Sequence, residues 1–168
     1  MRKIGLVADT HNYFDKKIKK YFSQCDEIWH AGDFGTIKIA EKFREIAPLT
    51  GVYGNIDGED IRAEFSLHER FTCEGLDIWM THIGGHPGRY AVPIRKEMEE
   101  NPPDIFICGH SHILKIVRDP LNHEMIHMNP GAAGKHGFHE WRTLVRFTLD
   151  NGQIHDAEVI HLGQRTEN

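Results

Sequence analysis

Three short apolar runs, separated by stretches with a helical period, constrain the fold of this chain more than any other feature. The runs are KIGLVA (3–8), EIWHA (27–31) and LTGVYG (49–54). The stretches 15–24 and 36–47 between them carry apolar residues at helical spacing, and Pro48 ends the second one. This β-α-β-α-β order predicts a parallel sheet with helices packed on its face.

The rest of the chain is richer in strands. Two strands are predicted within 70–82 around a turn at Glu74-Gly75, followed by a helix at 90–101 and a buried strand at 104–109. Four further strands are predicted at 113–119, 123–129, 142–150 and 153–162, and Asp150-Asn151-Gly152 is a hairpin turn signal. A parallel opening followed by meandering strands predicts two packed sheets with helices outside.

Length and composition limit the function. A chain of 168 residues suits one globular domain, which we expect to span 1–168. The net charge of -5 does not indicate nucleic acid as a partner, because nucleic acids favour basic surfaces. The three cysteines are widely spaced and odd in number, so we expect no disulfide framework and a cytoplasmic location. We expect no signal peptide or membrane association, because no apolar run is long enough.

The 13 histidines are the unusual part of the composition, and several follow predicted strands. Five strand ends carry chemically active side chains: Asp9 and His11, Asp33, Asn55 and Asp57, His82, and His110 and His112. The carboxyl ends of strands in an α/β sheet lie along the edge where ligands bind. We therefore expect these side chains to converge.

Two details of spacing support this convergence. The pairs Asp9/His11 and His110/His112 are two residues apart, which in extended chain points both side chains to one side. Glycines at 32, 54 and 109 precede candidate residues, and glycine permits a sharp turn or a close approach of the backbone.

Imidazole and carboxylate side chains together suit divalent transition metals such as Mn²⁺, Fe²⁺, Ni²⁺, Co²⁺ and Zn²⁺. Even without Asp57, seven candidates exceed the three protein ligands of a typical catalytic zinc, which favours two ions bridged by one carboxylate and about 3.5–4 Å apart. The neutral histidines and Asn55 leave such a site positive, which favours an anionic phosphoryl substrate. Metal ions also lower the pKa of water towards 7 and supply hydroxide as nucleophile.

Five motifs in this order resemble the calcineurin-like metallophosphoesterases. They are DTH (9–11), GD (32–33), GN (54–55), TH (81–82) and GHSH (109–112). Their order and spacing are similar to the small single-domain bacterial and archaeal phosphodiesterases, over roughly 1–162. The resemblance implies a four-layer α/β/β/α sandwich of two packed mixed sheets with flanking helices. It also implies two divalent metal ions, often manganese.

The resemblance further implies a role for each motif residue. Asp9, His11 and His112 would hold the first ion; Asn55, His82 and His110 would hold the second; Asp33 would bridge them. Asn55 would also contact the substrate phosphate. The implied reaction is hydrolysis of phosphodiesters, and also of phosphomonoesters, by a metal-bridging hydroxide acting on a small phosphate-ester substrate.

The sequence departs from the family pattern at the expected proton donor. Many members carry histidine directly after GN, where this chain has Ile56 followed by Asp57. Asp57 is a candidate general acid or, alternatively, an acceptor that orients a metal ligand. Relatives often place a second histidine two positions after the one matching His82, whereas here the next histidine is His86. His86 is a candidate acid or substrate contact, or a solvated loop residue.

Three further residues are candidate substrate contacts: Arg89, His136 and His139. The two histidines could instead lie at a surface or in a contact between copies of a homo-oligomer. His30, just before AGD, is expected to support or pack against the ligands rather than bind metal.

Two other functions are compatible with the sequence. A eukaryotic retromer subunit has a similar fold but serves as a non-catalytic interaction scaffold with an eroded site. Here all seven metal positions hold competent residues, which favours an enzyme. A mononuclear zinc hydrolase acting on amides is less favoured, because it would leave several candidate ligands unused.

Overall fold

The computed structural model describes residues 1–167, which form two five-stranded sheets, a two-stranded hairpin and four helices. The elements, in chain order, are β1 (Arg2–Val7), α1 (Lys17–Phe22), β2 (Glu27–His30), α2 (Ile37–Arg44), β3 (Leu49–Gly51), α3 (Glu59–Arg62), β4 (His68–Cys73), β5 (Leu76–Thr81), β6 (Gly85–His86), β7 (Arg89–Tyr90), α4 (Val92–Glu100), β8 (Ile105–Ile107), β9 (Leu114–Asp119), β10 (Met125–Pro130), β11 (Trp141–Asp150) and β12 (Gln153–Gln164).

Both sheets are mixed. The first has the order β12-β11-β1-β2-β3, with β1, β2 and β3 parallel and β11 antiparallel to β1. The second has the order β4-β5-β8-β10-β9, with β5, β8 and β10 parallel and antiparallel strands at both edges. The predicted parallel opening is confirmed, and the late strands complete both sheets.

The two sheets pack face to face through an apolar layer. Leu6 and Trp29 of the first sheet and Met80 and Ile107 of the second belong to this layer, and all four are buried. Burial of each such side chain contributes about 1.5–3 kcal/mol. The layer holds the strand ends of both sheets along one edge of the molecule.

Helices cover both outer faces. α1 and α2 bury Phe22 and Phe43 against the first sheet, and α4 buries Ile94 and Met98 beside Phe106 of the second. The four layers α/β/β/α expected from the family resemblance are therefore present. Within residues 1–167 no helix combines the length and apolarity needed to cross a lipid bilayer.

The differences from the predicted elements have local causes. α1 begins at Lys17 because Asp15 accepts a hydrogen bond from the Lys17 N–H at 2.8 Å and makes a turn ahead of the helix. α3 spans four residues, and β6 and β7 span two each, which is too short for hydrophobic periodicity to reveal.

Candidate metal centre

The seven predicted metal ligands converge at one edge of the two sheets. Six of them form two groups in which all ligand atoms lie within 4.8 Å of one another. The first group contains Asp9, His11 and His112, and the second contains Asp33, His82 and His110. The first group is the first ligand set that the family resemblance implies. The second group shares His82 and His110 with the second set and contains Asp33, the implied bridge.

Asp33 lies between the two groups. Its Oδ2 atom is 3.3 Å from Nε2 of His11 in the first group and 3.2 Å from Nε2 of His82 in the second. Asn55 lies on the side of the second group, where its Oδ1 is 3.0 Å from both His82 Nε2 and His110 Nδ1. The arrangement fits Asp33 as a bridge and Asn55 as a ligand of the second ion.

The donor atoms at this edge fit metal ions independently of the family resemblance. Asp9 Oδ1 and His11 Nε2 are buried and lack a hydrogen-bond partner, which is costly for polar atoms in a protein interior. His82 donates its Nδ1–H to the carbonyl oxygen of Ala31 at 2.7 Å, which orients the ring so that its Nε2 faces the site. Imidazole nitrogens with carboxylate and amide oxygens are a set that divalent transition metals accept.

Backbone strain is concentrated at the same residues. Five of the seven predicted ligands have left-handed backbone, with φ between 43° and 70°: Asp9, His11, Asp33, His110 and His112. This conformation costs a residue other than glycine about 1–3 kcal/mol and persists where the surrounding structure enforces it. It also corrects one argument from the sequence, because the i, i+2 pairs do not share a side through extended chain. Left-handed turns bring these side chains into position.

Two of the glycines near the ligands are required by close approach. A Cβ atom at Gly54 would lie 2.0 Å from Oδ1 of Asp33. A Cβ atom at Gly109 would lie 2.9 Å from Oδ2 of Asp9. The absence of a side chain therefore lets the loops after β3 and β8 pack directly against the two carboxylates.

The carboxylates and histidines shift one another's protonation. Burial opposes ionisation of Asp33, but the adjacent imidazoles of His11 and His82 outweigh it and hold the pKa of Asp33 well below its usual range. The pKa of Asp9 is lowered in the same way by His11 and His112. Burial would lower the pKa of His11, but Asp33 and Asp9 raise it to about 9. The two carboxylates are therefore ionised at neutral pH, and an arriving cation would displace the His11 proton.

His30 joins two of the ligand loops from behind. It is fully buried, accepts a hydrogen bond from the Gly32 N–H at 3.1 Å and donates to Oγ1 of Thr10 at 3.0 Å. Thr10 in turn donates to the carbonyl oxygen of Phe34 at 3.0 Å. Burial lowers the pKa of His30 to about 3, so it is neutral. The contribution of Thr10 was not evident from the sequence, although Thr10 lies between two ligands of the DTH motif.

Asp57 makes a similar link between two other loops. Its Oδ1 accepts a hydrogen bond from the Gly35 N–H at 2.9 Å, and its Oδ2 accepts one from the Gly54 N–H at 2.8 Å. It is buried and does not line the cavity described next. The structure thus does not bring Asp57 to the predicted ligand atoms, and its bonds go to the backbone of the Asp33 and Asn55 loops.

A cavity of about 490 Å³, here called the metal-site cavity, opens onto the ligands. His136 and His139 both line it. His136 stacks on His11 with ring centroids 4.8 Å apart, and His139 packs edge-on against His112 at 5.2 Å. Ile56 also lines the cavity, at the position where many relatives have a histidine. The two predicted substrate contacts therefore lie beside the first ligand group.

His86 and Arg89 line a different cavity, of about 880 Å³, here called the side cavity. The two cavities have His110, Ser111 and Ile113 in common, so they adjoin. The position two residues after His82 is Gly84, where a Cβ atom would lie 2.6 Å from the Phe106 ring. The structure leaves no room there for the second histidine of the family pattern.

Comparison with known proteins agrees with this geometry. The model of the "Calcineurin-like phosphoesterase superfamily domain" matches residues 2–152. A probable metallophosphoesterase of Methanothermobacter thermautotrophicus is 26% identical over 165 residues, covering 95% of this chain and 92% of that protein. A probable metallophosphoesterase of Methanocaldococcus jannaschii is 29% identical over 139 residues, covering 77% of this chain and 67% of that protein.

Solved structures show the same fold. An archaeal phosphodiesterase has a TM-score of 0.73 at 22% identity, covering 94% of this chain and 99% of its own. Vps29 of Chaetomium thermophilum has a TM-score of 0.74 at 15% identity, covering 98% of this chain and all of its own. Because a family model matches nearly the whole chain and the motif residues meet at one sheet edge, this protein belongs to the calcineurin-like phosphoesterase superfamily.

Proposed function

We propose that this protein is a phosphodiesterase that works with two divalent metal ions. The observation that carries the proposal is the pair of adjoining ligand groups with the Asp33 carboxylate between them. A mononuclear site would use one group and leave the other, with its left-handed residues, as an unexplained cluster. Binding of two cations accounts for both groups and for the unpartnered atoms of Asp9 and His11.

When bound, the two cations would lower the pKa of a coordinated water towards 7 and neutralise charge on the phosphate. The protein holds the ligand atoms in fixed positions, because the surrounding structure enforces the left-handed backbone of five ligands. Hydrogen bonds also fix atoms that would not contact the metal ions, such as Nδ1 of His82 and Oδ2 of Asp9. Asn55 carries an amide donor that could contact a phosphate oxygen while its Oδ1 faces His82 and His110. His136 lies on the open side of His11 and is available to contact substrate.

The substrate proposed is a small phosphate ester with an apolar organic part. Three exposed apolar side chains line the metal-site cavity: Ile56, Ile113 and Phe138. With Ile56 in place of a histidine donor, the leaving group would gain no proton from that position. We therefore expect activated esters, such as aryl diesters, to be hydrolysed faster than alkyl esters.

Manganese is the proposed metal, with Ni²⁺, Fe²⁺, Co²⁺ and Zn²⁺ as alternatives. The ligand groups contain only imidazole nitrogen and carboxylate or amide oxygen, which suits Mn²⁺, and contain no thiolate. Reconstitution of chelator-treated protein with each metal in turn would rank the five ions by bound stoichiometry and by rate.

The deciding experiment measures metal content and hydrolysis together. We expect protein saturated with Mn²⁺ to bind two ions per chain and to hydrolyse bis(p-nitrophenyl) phosphate. A stoichiometry near one would favour the mononuclear hydrolase. Protein that binds no metal and hydrolyses no ester would instead favour an interaction scaffold. The likeness to Vps29 concerns the fold, and the complete ligand set supports the enzyme.

A further inference from the structure

The side cavity carries a strong positive charge next to the metal centre. Arg89, Arg95 and Lys115 line it, and no Asp or Glu side chain does. Within residues 1–167, the Arg and Lys side chains that form ion pairs are others: Arg2, Arg44, Arg70, Lys96, Arg142 and Arg146. Three cations without a carboxylate at ion-pairing distance therefore face one cavity.

The buried carboxylate of Asp119 lies behind the cavity wall and is held by neutral donors. Asp119 is buried and accepts hydrogen bonds from Tyr90 Oη at 2.6 Å, from Asn122 Nδ2 at 2.8 Å and from the Leu121 N–H at 3.1 Å. Its lone pairs are thus directed to these donors. Tyr90 lines the cavity, but Asp119 does not.

A helix start adds to the positive potential. α4 is nine residues long, and Ala91 and Val92 at its beginning line the cavity. Its N-cap residue is Ala91, which has no side chain able to cap the helix, and its first turn contains no acidic residue. The positive end of the helix dipole favours an anion nearby.

A residue of the cavity wall, His127, contains an unpartnered polar atom. His127 of β10 lines the cavity, is 1% exposed, and its Nδ1 has no hydrogen-bond partner. Burial and the neighbouring Lys115 lower the pKa of His127 to about 4, so the ring is neutral. A neutral imidazole carries its proton on either nitrogen, so Nδ1 is an unused polar atom just behind the cavity surface.

We propose that the side cavity binds a second phosphate group of the substrate, carried on its organic part. The proposal rests on the phosphodiesterase activity proposed above, because the first phosphate would lie at the metal centre. The common wall of His110, Ser111 and Ile113 lets one molecule extend from one cavity into the other. A dianionic phosphate matches three cations and a helix start better than a single carboxylate does. The favoured substrates are therefore phosphodiesters that carry a further phosphate.

A pair of substrates that differ only in that phosphate tests the proposal. Thymidine 5′-(p-nitrophenyl phosphate) and its 3′-phosphorylated derivative have the same diester and the same leaving group. We expect the derivative to have a kcat/KM about tenfold higher with the manganese-loaded protein, the effect of one charge-assisted contact. Equal kcat/KM values for the two diesters would overturn the proposal and leave the phosphodiesterase activity standing.

Variants of cavity residues test whether the preference for the phosphorylated diester arises in the side cavity. Arg89→Gln and Lys115→Gln should each move the ratio of the two kcat/KM values towards one, and the ratio cancels any general loss of activity. Lys96→Gln is the matched control, because Lys96 lies beside Arg95 on α4 but pairs with Glu100 and does not line the cavity. An unchanged ratio in both cavity variants would assign the preference to some other surface and overturn the proposal.

A binding measurement separates this inference from the enzymatic one. Chelator-treated protein should bind inorganic phosphate in calorimetric titrations, and Lys115→Gln should weaken that binding about fivefold while Lys96→Gln should not. If neither diester is hydrolysed but this pattern appears, the cavity binds phosphate and only the phosphodiesterase proposal fails. Phosphate affinity that is the same in Lys115→Gln and in the original protein would overturn the inference.

Discussion

Replacement of Asp33 by Asn is the most direct test of the metal centre. The Oδ2 atom of Asp33 is 3.3 Å and 3.2 Å from the Nε2 atoms of His11 and His82, one in each ligand group. Its Oδ1 accepts the Ile56 N–H at 3.1 Å, a hydrogen bond that an Asn oxygen can preserve. The substitution therefore keeps the size of the side chain and one backbone contact while it removes the charge between the groups.

The expected loss of metal affinity is large, because the carboxylate charge that the substitution removes would face two cations. Removal of one partner of a buried ion pair costs about 3–5 kcal/mol, or more than about 100-fold in affinity. Calorimetric titration with Mn²⁺ should show both sites weakened, and hydrolysis of bis(p-nitrophenyl) phosphate should fall by at least the same factor. Asp60→Asn is a suitable control, because Asp60 is exposed and its Oδ2 accepts the Ile37 N–H away from the ligands.

A folding control and a measurement of metal binding and activity decide whether Asp33 bridges the two ions. A thermal melt of the metal-free Asp33→Asn protein close to that of Asp60→Asn would establish that the variant folds. If the folded variant still binds two metal ions and hydrolyses the diester at a near-normal rate, Asp33 does not bridge and the assignment is wrong.

Three further predictions follow from the same geometry. Binding of Mn²⁺ at pH 7 should release protons, because neighbouring carboxylates raise the pKa of His11 to about 9 and also raise the pKa of His82, and a ligating histidine must be neutral. Affinity should therefore rise with pH up to about 9, and calorimetry in buffers of different ionisation enthalpy would detect the protons or refute their release. Gly54→Ala should lower metal affinity more than tenfold, because its Cβ would lie 2.0 Å from Asp33 Oδ1. Gly58→Ala is the control, because the atom nearest to its Cβ would be 3.6 Å away. Equal metal affinities of the two variants would contradict the proposed effect of close approach. Ile56→His should raise kcat/KM for an alkyl phosphodiester by about tenfold or more relative to kcat/KM for an aryl phosphodiester, since a positioned acid contributes about 10²–10⁴-fold. If the ratio of the two kcat/KM values is the same in the variant and in the original protein, this position cannot protonate the leaving group.

The sequence predicts the fold well because the fold depends on hydrophobic periodicity. The runs that became β1, β2 and β8 are apolar and buried, and Asn151-Gly152 forms the predicted hairpin turn with positive φ at both residues. Convergence of the ligands could be predicted because parallel strands place their carboxyl ends on one edge. The local backbone geometry of the ligands could not be predicted, since left-handed turns at Asp9 and His110 leave no periodic pattern in the sequence.

Residues outside the motifs were harder to predict for a physical reason. The position of Asp57 depends on loops that meet only in the folded protein, and its two partners, Gly35 and Gly54, are separated by 19 positions in sequence. His127 resembles other strand histidines in the sequence, and only its burial beside the side cavity distinguishes it. The side cavity itself combines residues of β7, α4 and β9, so no single motif indicates it.

The hydrogen bonds behind the metal centre explain how so many strained residues can be adjacent. His30 ties the Asp9–His11 loop to the Asp33 loop, and Asp57 ties the Asp33 loop to the Asn55 loop. Oδ2 of Asp9 accepts the His110 N–H at 3.1 Å, which joins the first sheet to the second across the site. Each tie satisfies a backbone N–H or a buried side chain, and each net bond contributes about 1 kcal/mol. These bonds connect the loops that carry the left-handed ligands, so the protein itself positions the ligand atoms.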